Sequence, residues 1–249
     1  MSNKNFVDVK QKKRKWYNYL DPFLPYDIFI EYLTKKNLSN KYSNFIIFVI
    51  YALILAFLLL KVLALILGAH EAAMIVVSGS MQPYLGIGDV VVLHSSNEIN
   101  TTYIDVNANI KNIPIRKYLT PIYAQDETIG YPVISDLNIL GQIVKPNKTA
   151  DVVVYYSDLE KKEIIHRAIL GINANDGTFY ITQGDNKKTN FVLDSDCDAK
   201  FQTPTGIITI NCLYPYAFQK ENILSKYFFN IPYIGWIKLA PVYLFGWRP

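Results

Sequence analysis

The chain has 249 residues, 51% hydrophobic and 18% charged, with a mean hydropathy of +0.11 and a net charge of +4. Against a typical soluble domain, about 45–50% apolar and about 25% charged, this excess is too small for a polytopic transporter and too large for a disordered protein. Twelve Gly and twelve Pro exclude a collagen-like or low-complexity architecture, and two Cys exclude a zinc finger or a disulfide-dense scaffold.

Residues 1–43 hold nine Lys/Arg and four acids, so the positive charge belongs to a tail. No basic and aromatic interleaving of the nucleic-acid-binding kind occurs, and no nucleic-acid partner is expected. The 19 residues from Tyr42 to Leu60 carry no charge, and after Lys61 the apolar run resumes to Gly68. A span needs about 20 apolar residues, and a Lys near its end snorkels to the interface. Apolar residues on every face argue against a buried core helix. The reading is a basic cytoplasmic tail (1–43) and a transmembrane helix (44–68), with the remainder extracytoplasmic by the positive-inside rule.

From residue 69 to 230 the pattern is β. Short β-branched runs recur at 74–78, 89–93, 151–157, 163–170, 178–182 and 206–211, separated by Gly and Asn turn signals. Residues from about 95 to 150 are rich in Asn, Pro and Thr and read as an insertion of loops with a few weak strands. The segment 231–249 is aromatic and apolar. It is too short and Pro-interrupted to span, but its Trp236, Trp247 and tyrosines suit a bilayer interface or a core-packing extension.

Three strings carry chemistry. Ser78-Gly79-Ser80-Met81-Gln82-Pro83 places serines in a tight turn after an apolar strand, where a hydroxyl and adjacent N–H groups supply the parts of a nucleophile and an oxyanion hole. Ile164-Ile165-His166-Arg167 puts His166 and Arg167 on opposite faces of a strand. His166 is the best of three His for a general base, because His70 lies at the membrane boundary and His94 ends a strand. Gly184-Asp185-Asn186 ends another strand, where Asp185 either forms a turn or orients an imidazole. Asp194, Asp196 and Asp198 read as solvated loop acids. Each string alone has a structural reading.

In order, the anchor, S-G-S-M-x-P, G-D-V-V, H-R and G-D-N resemble type I signal peptidase over roughly residues 45–190. The resemblance implies a mainly β, membrane-anchored catalytic domain of the signal peptidase type with one N-terminal transmembrane helix. It implies a serine endopeptidase with Ser80 as nucleophile, His166 as base, and the Ser78 hydroxyl and Ser80 N–H as the oxyanion hole. His where bacterial members carry Lys, and the 86-residue separation of Ser80 and His166, look like the archaeal and endoplasmic-reticulum branch and favour an archaeal enzyme. For the third member the resemblance ranks Asp185 first. His-type members carry a further Asp six residues on, where this chain has Phe191, and Asp194 is the second choice. Neither metal nor organic cofactor is implied. The implied partners are signal peptides of exported preproteins with small residues at −1 and −3, the lipid bilayer and the protein translocation channel.

The rival from another class is a noncatalytic, membrane-anchored extracellular β-domain for binding or envelope structure. Cys197 and Cys212 are expected to form a disulfide, since Cys197 sits in a polar, Asp-rich stretch on the oxidising side. Of three N-x-Ser/Thr sequons, Asn100 and Asn147 are expected outside and Asn37 inside.

Overall fold

The computed structural model describes residues 21–249 except 39, 70, 96, 128–129, 204–205, 210–211, 245 and 247–249, and at 131, 201–203 and 206–209 it describes the main chain alone. The basic stretch 4–15, His70, Ser39 of the Asn37 sequon and Trp247 lie outside the described residues. The chain divides into two units, Met1–Leu60 and Lys61–Pro249.

The first unit holds a helix inside what reads as a plain basic tail. Helix α1 (Leu24–Lys35) starts where the Asp21 carboxylate accepts a hydrogen bond from the Phe23 N–H at 2.9 Å, with a proline in its opening turn. Asp27 in its first turn and Lys35 in its last match the helix dipole. Rings of Phe23 and Tyr26 pack on Phe48 and Tyr51 of helix α2 (Lys41–Leu67), centroids 5.5–6.2 Å apart. Asn40, just before α2, and Ser43, in its first turn, bond reciprocally, the Ser43 N–H to Asn40 Oδ1 at 2.8 Å and the Asn40 N–H to Ser43 Oγ at 2.9 Å. At 1.5 Å per residue its 27 residues extend about 40 Å, beyond the ~30 Å hydrocarbon core of a bilayer. The helix is therefore long and apolar enough to cross a membrane. It stops at Gly68, whose φ of +61° is left-handed, and Ala69 N–H closes back to Ala64 O at 3.1 Å.

The second unit is β-rich. Its strands are β1 (Ala73–Ile75), β2 (Val90–His94), β3 (Tyr103–Asp105), β4 (Leu119–Asp126), β5 (Tyr131–Ile139), β6 (Gln142–Val144) and β7 (Val152–Ser157). There follow β8 (Lys162–Ala174), β9 (Gly177–Gln183), β10 (Lys200–Thr203), β11 (Gly206–Thr209), β12 (Phe218–Gln219) and β13 (Ile223–Ile231). The main sheet runs β1-β2-β13-β7-β8-β9-β12, with β3 parallel to the second half of β8. Strand β7 is buried on both faces, which is why it reads as an unbroken apolar run. Val152 and Val154 pack with Met81, Leu85, Val91 and Ile165, while Val153 and Tyr155 pack with Ala168, Tyr180 and Phe218.

The inserted region departs from the loops and weak strands expected of it. Strands β4, β5 and β6 form an antiparallel meander, and β4 and β5 pair from Leu119↔Ile139 to Asp126↔Tyr131. Pro121 is tolerated because β4 is an edge strand. Leu119, Ile134, Leu137 and Ile139 bury against Ile169, Ile172, Phe179 and Ile181 of β8 and β9.

After β13, helix α3 (Trp236–Leu244) has nine residues and contains Pro241, too short to span a bilayer. Its base is locked to the turn before β2. Gly235 N–H donates to Gly88 O at 2.8 Å, and the Trp236 indole lies so close over Gly88 that a Cβ there would sit 2.2 Å from it. Ile237 and Leu244 are 82% and 83% exposed.

Candidate active site

The serine string follows β1 as a loop fixed by its own apolar residues. Met81 and Leu85 are fully buried, and Leu85 N–H bonds to Met81 O at 3.0 Å. The buried Asp89 ends the turn. It accepts from Gly86 N–H at 3.0 Å, Asn230 Nδ2 at 2.8 Å and Tyr233 N–H at 3.3 Å. With the loop pinned from beneath, Ser78 is exposed and Ser80 half-buried, their hydroxyls 3.2 Å apart. Among the described residues the Ser80 N–H donates to no other group.

The Gly184-Asp185-Asn186 turn packs directly on this loop. Asn186 N–H donates to Ser80 O at 2.8 Å, and Asn186 Nδ2 to Gly79 O at 2.8 Å. A Cβ on Gly184 would lie 2.7 Å from Ser80 O, so this position requires glycine for close approach rather than for a left-handed φ.

The structure turns over the ranking of the aspartates. Asp194, not Asp185, meets His166: its Oδ2 lies 2.7 Å from His166 Nδ1. Asp185 instead takes a bidentate ion pair from Arg167, Nε to Oδ1 at 2.8 Å and Nη2 to Oδ2 at 2.6 Å. The reason is strand alternation. Successive residues of β8 face opposite ways, so the acid beside Arg167 is on the wrong side for His166. Arg167 also donates to Ala150 O and stacks over the Tyr84 ring at 4.7 Å.

The His166–Asp194 pair is buried, at 2% and 4% exposure. The same Asp194 oxygen accepts a second bond, from the Tyr155 hydroxyl at 2.9 Å. Burial first, then the neighbouring Asp194 charge, holds the Tyr155 phenol well above its ordinary pKa, so it remains a proton donor. Bonding between Nδ1 and a carboxylate places a proton on Nδ1, so in the neutral imidazole the lone pair is on Nε2. Sequence reasoning missed Tyr155. Its signal was a polar hydroxyl closing the apolar run Val152–Val154, a group that requires a partner when buried.

Asp194 is itself held by main-chain bonds. Its N–H donates to Thr182 O at 3.1 Å, and its carbonyl accepts Leu213 N–H at 2.7 Å. The expected Cys197–Cys212 disulfide is present and joins the stretches on either side of that contact. Asp194 and Asp196 are not solvated loop acids. Asp196 is fully buried and takes Arg116 Nε at 2.7 Å, while Asp198 stays exposed.

Ser78, Ser80 and His166 line one groove of about 280 Å³, walled by Met74–Val77 and by Ile164 and Ile165 of β8. Among the described residues no hydrogen bond joins Ser80 Oγ to the imidazole. Catalytic contacts of this kind commonly tighten only around substrate. His94 lies apart, half-buried against Phe228 with ring centroids 5.4 Å apart. Burial, then Lys226, depresses its pKa. Among the described residues no group of three or more His, Cys, Asp or Glu could hold a metal ion. Compared with known proteins, the sequence matches no family model and no curated protein.

Proposed function

We propose that the chain is a membrane-anchored serine endopeptidase of the signal peptidase I type that removes signal peptides from exported preproteins. One observation carries this reading: a buried Tyr155–Asp194–His166 chain of hydrogen bonds opens onto the groove that holds Ser80. In the mechanism, His166 Nε2 takes the Ser80 proton as Oγ attacks the scissile carbonyl. The Ser80 N–H and Ser78 hydroxyl receive the negative charge on the carbonyl oxygen. His166 then passes its proton to the leaving amine, and water, deprotonated by the same nitrogen, hydrolyses the acyl-enzyme. Asp194 fixes the imidazole and offsets its charge. The role first given to Asp185 becomes structural, pairing Arg167.

Strand β1 is an edge strand beside the groove, which supports recognition of an extended peptide by strand addition. A small groove favours small −1 and −3 side chains. Helix α2 is the proposed anchor, with the lysines before it inside the cell and the second unit outside, where a disulfide persists. The exposed Ile237 and Leu244 of α3 suit docking at the interface of that bilayer. The translocation channel is the proposed partner that delivers substrate, and the His-type site with its long insertion suits an archaeal host.

The test is cleavage of a preprotein in detergent or liposomes, with the new N-terminus read by mass spectrometry. Wild type releases the signal peptide, and Ser80→Ala and His166→Ala do not. Cleavage undiminished in Ser80→Ala would remove Ser80 from the mechanism, and no cleavage by wild type would leave the noncatalytic binding domain as the better reading.

A further inference from the structure

A second cavity, of about 510 Å³, adjoins the groove, and Asn190 lines both. It is built on the two segments that frame Ser80: Pro83 and Tyr84 just after it, and Gly184, packed on its carbonyl. Three cations, Lys148, Arg167 and Lys187, line it beside one acid, Asp185. Arg167 already occupies both oxygens of Asp185, and Lys187 reaches Asp126 at 2.9 Å. Lys148 differs. Its ammonium donates to the neutral Gln183 Oε1 at 2.8 Å, and it makes no ion pair among the described residues. Burial disfavours this charge and lowers its pKa. The Asp185 charge acts on this ammonium without pairing with it, and a partly desolvated ammonium with no direct carboxylate partner, in a cavity with apolar walls from Val133 and Ile134, has room and reason to take one.

The cavity's place relative to Ser80 says where that carboxylate comes from. A peptide paired along the edge strand β1 would fill the first groove up to a scissile carbonyl at Ser80, and its continuation would pass Asn190 into the second cavity. Resting on the proposed peptidase reading, we infer that this cavity receives the mature side of the substrate and that Lys148 selects an acidic side chain among the first residues after the scissile bond. Lys148 is then a specificity-determining residue, separate from the Ser80–His166–Asp194 chemistry. A charge-assisted hydrogen bond of this kind corresponds to about tenfold in affinity.

The experiment uses the full chain in detergent with Ser80→Ala, so that peptides bind without turnover. Fluorescent peptides spanning a cleavage region carry Glu or Gln at successive positions after the scissile bond. The Glu peptide is expected to bind about tenfold tighter at one or two positions, and Lys148→Met brings the ratio to about one. The charge being disfavoured where it sits, Lys148→Met is expected to melt no lower than the parent. If that variant does not fold, Lys148→Glu paired with a Lys-bearing peptide carries the test, its affinity restored by the reversed pair. Equal binding of Glu and Gln peptides, or a preference that survives Lys148→Met, overturns the inference while leaving the peptidase reading in place. Wild type that cleaves neither peptide, together with no binding to Ser80→Ala, removes the peptidase reading and this inference with it.

Discussion

Asp194 Oδ2 receives two donors, His166 Nδ1 and the Tyr155 hydroxyl, and this shared atom determines what each substitution removes. Asp194→Asn keeps the shape but offers the imidazole the wrong partner, so kcat should fall about 10⁴-fold. Asp185→Asn acts elsewhere. It strips the charge opposing a buried Arg167, so it should lower stability by about 3 kcal/mol while the folded fraction still cleaves. Kinetics and thermal unfolding on both variants check the division; an inactive, fully stable Asp185→Asn would reverse the assignment. Tyr155→Phe retains the ring's packing against Phe218, 3.9 Å between centroids, and deletes only the donor. We expect kcat to fall about tenfold with KM unchanged, measured on the same peptide. Ser80 and His166 were legible as residues, one from its turn and one from the scarcity of His. The acid beside His166 was legible only as a second choice, Asp194 after Asp185, because the distance from a strand to a following loop acid is set by how Leu213 and Thr182 hold that loop, and spacing along the chain does not contain it.

At the scale of elements, the Ser78–Ser80 loop depends on its neighbour's lack of a side chain. Gly184→Ala would push a methyl to 2.7 Å from Ser80 O and against Asn190, so the loop must move by a sizeable fraction of an ångström. Misplacement of that order costs about 10²-fold in rate. Gly184→Ala should therefore lose cleavage of this size with a cooperative melt retained, as activity assays and calorimetry on one preparation would show; full activity would mean that the two loops are not coupled. Strands β2, β7, β8 and β9 were legible because burial on both faces concentrates β-branched and aromatic residues in short runs, unbroken in β2 and β7 and interrupted in β8 by His166 and Arg167 among its apolar neighbours. Strands β4 and β5 were not. Their prolines and alternating polar residues, natural at an edge and on a half-exposed face, imitate loop composition. Strand β13, with Lys226 and Asn230 in it, escaped notice for the same reason, yet it is central to the sheet. Helix α1 was hidden inside a segment judged by its net charge alone.

Across the molecule, buried phenols make stability depend on alkaline pH. Burial raises the pKa of Tyr118, Tyr155 and Tyr180. In the unfolded chain these groups ionise near about 10. Above that pH the unfolded state releases protons that the folded state keeps, so the stabilisation is complete below about 10 and is lost as pH rises through the folded values. Denaturation curves between neutral pH and about 11 should show the midpoint falling only at the upper end; a flat profile would contradict the burial of these hydroxyls. The β class and the long apolar helix were legible from composition and periodicity, whereas strand order was not, since pairing partners lie far apart in sequence. That order has a temporal consequence. Ser80 follows the β1–β2 side of the sheet, His166 sits on the β7–β8 side, and β13 is inserted between them. Ribosomes add about 5–20 residues per second, so roughly 8–30 s separate the synthesis of Ser80 from that of Ile231. On the proposed reading, a chain ended before Ile223 should be devoid of cleavage even though Ser80, His166 and Asp194 are all present, and supplying 223–249 as a separate peptide is the corresponding complementation assay. The strand that bridges β2 and β7 is thus the last of the sheet to be made, and an interrupted translation product holds the residues of the proposed site without the strand that joins their two edges of the sheet.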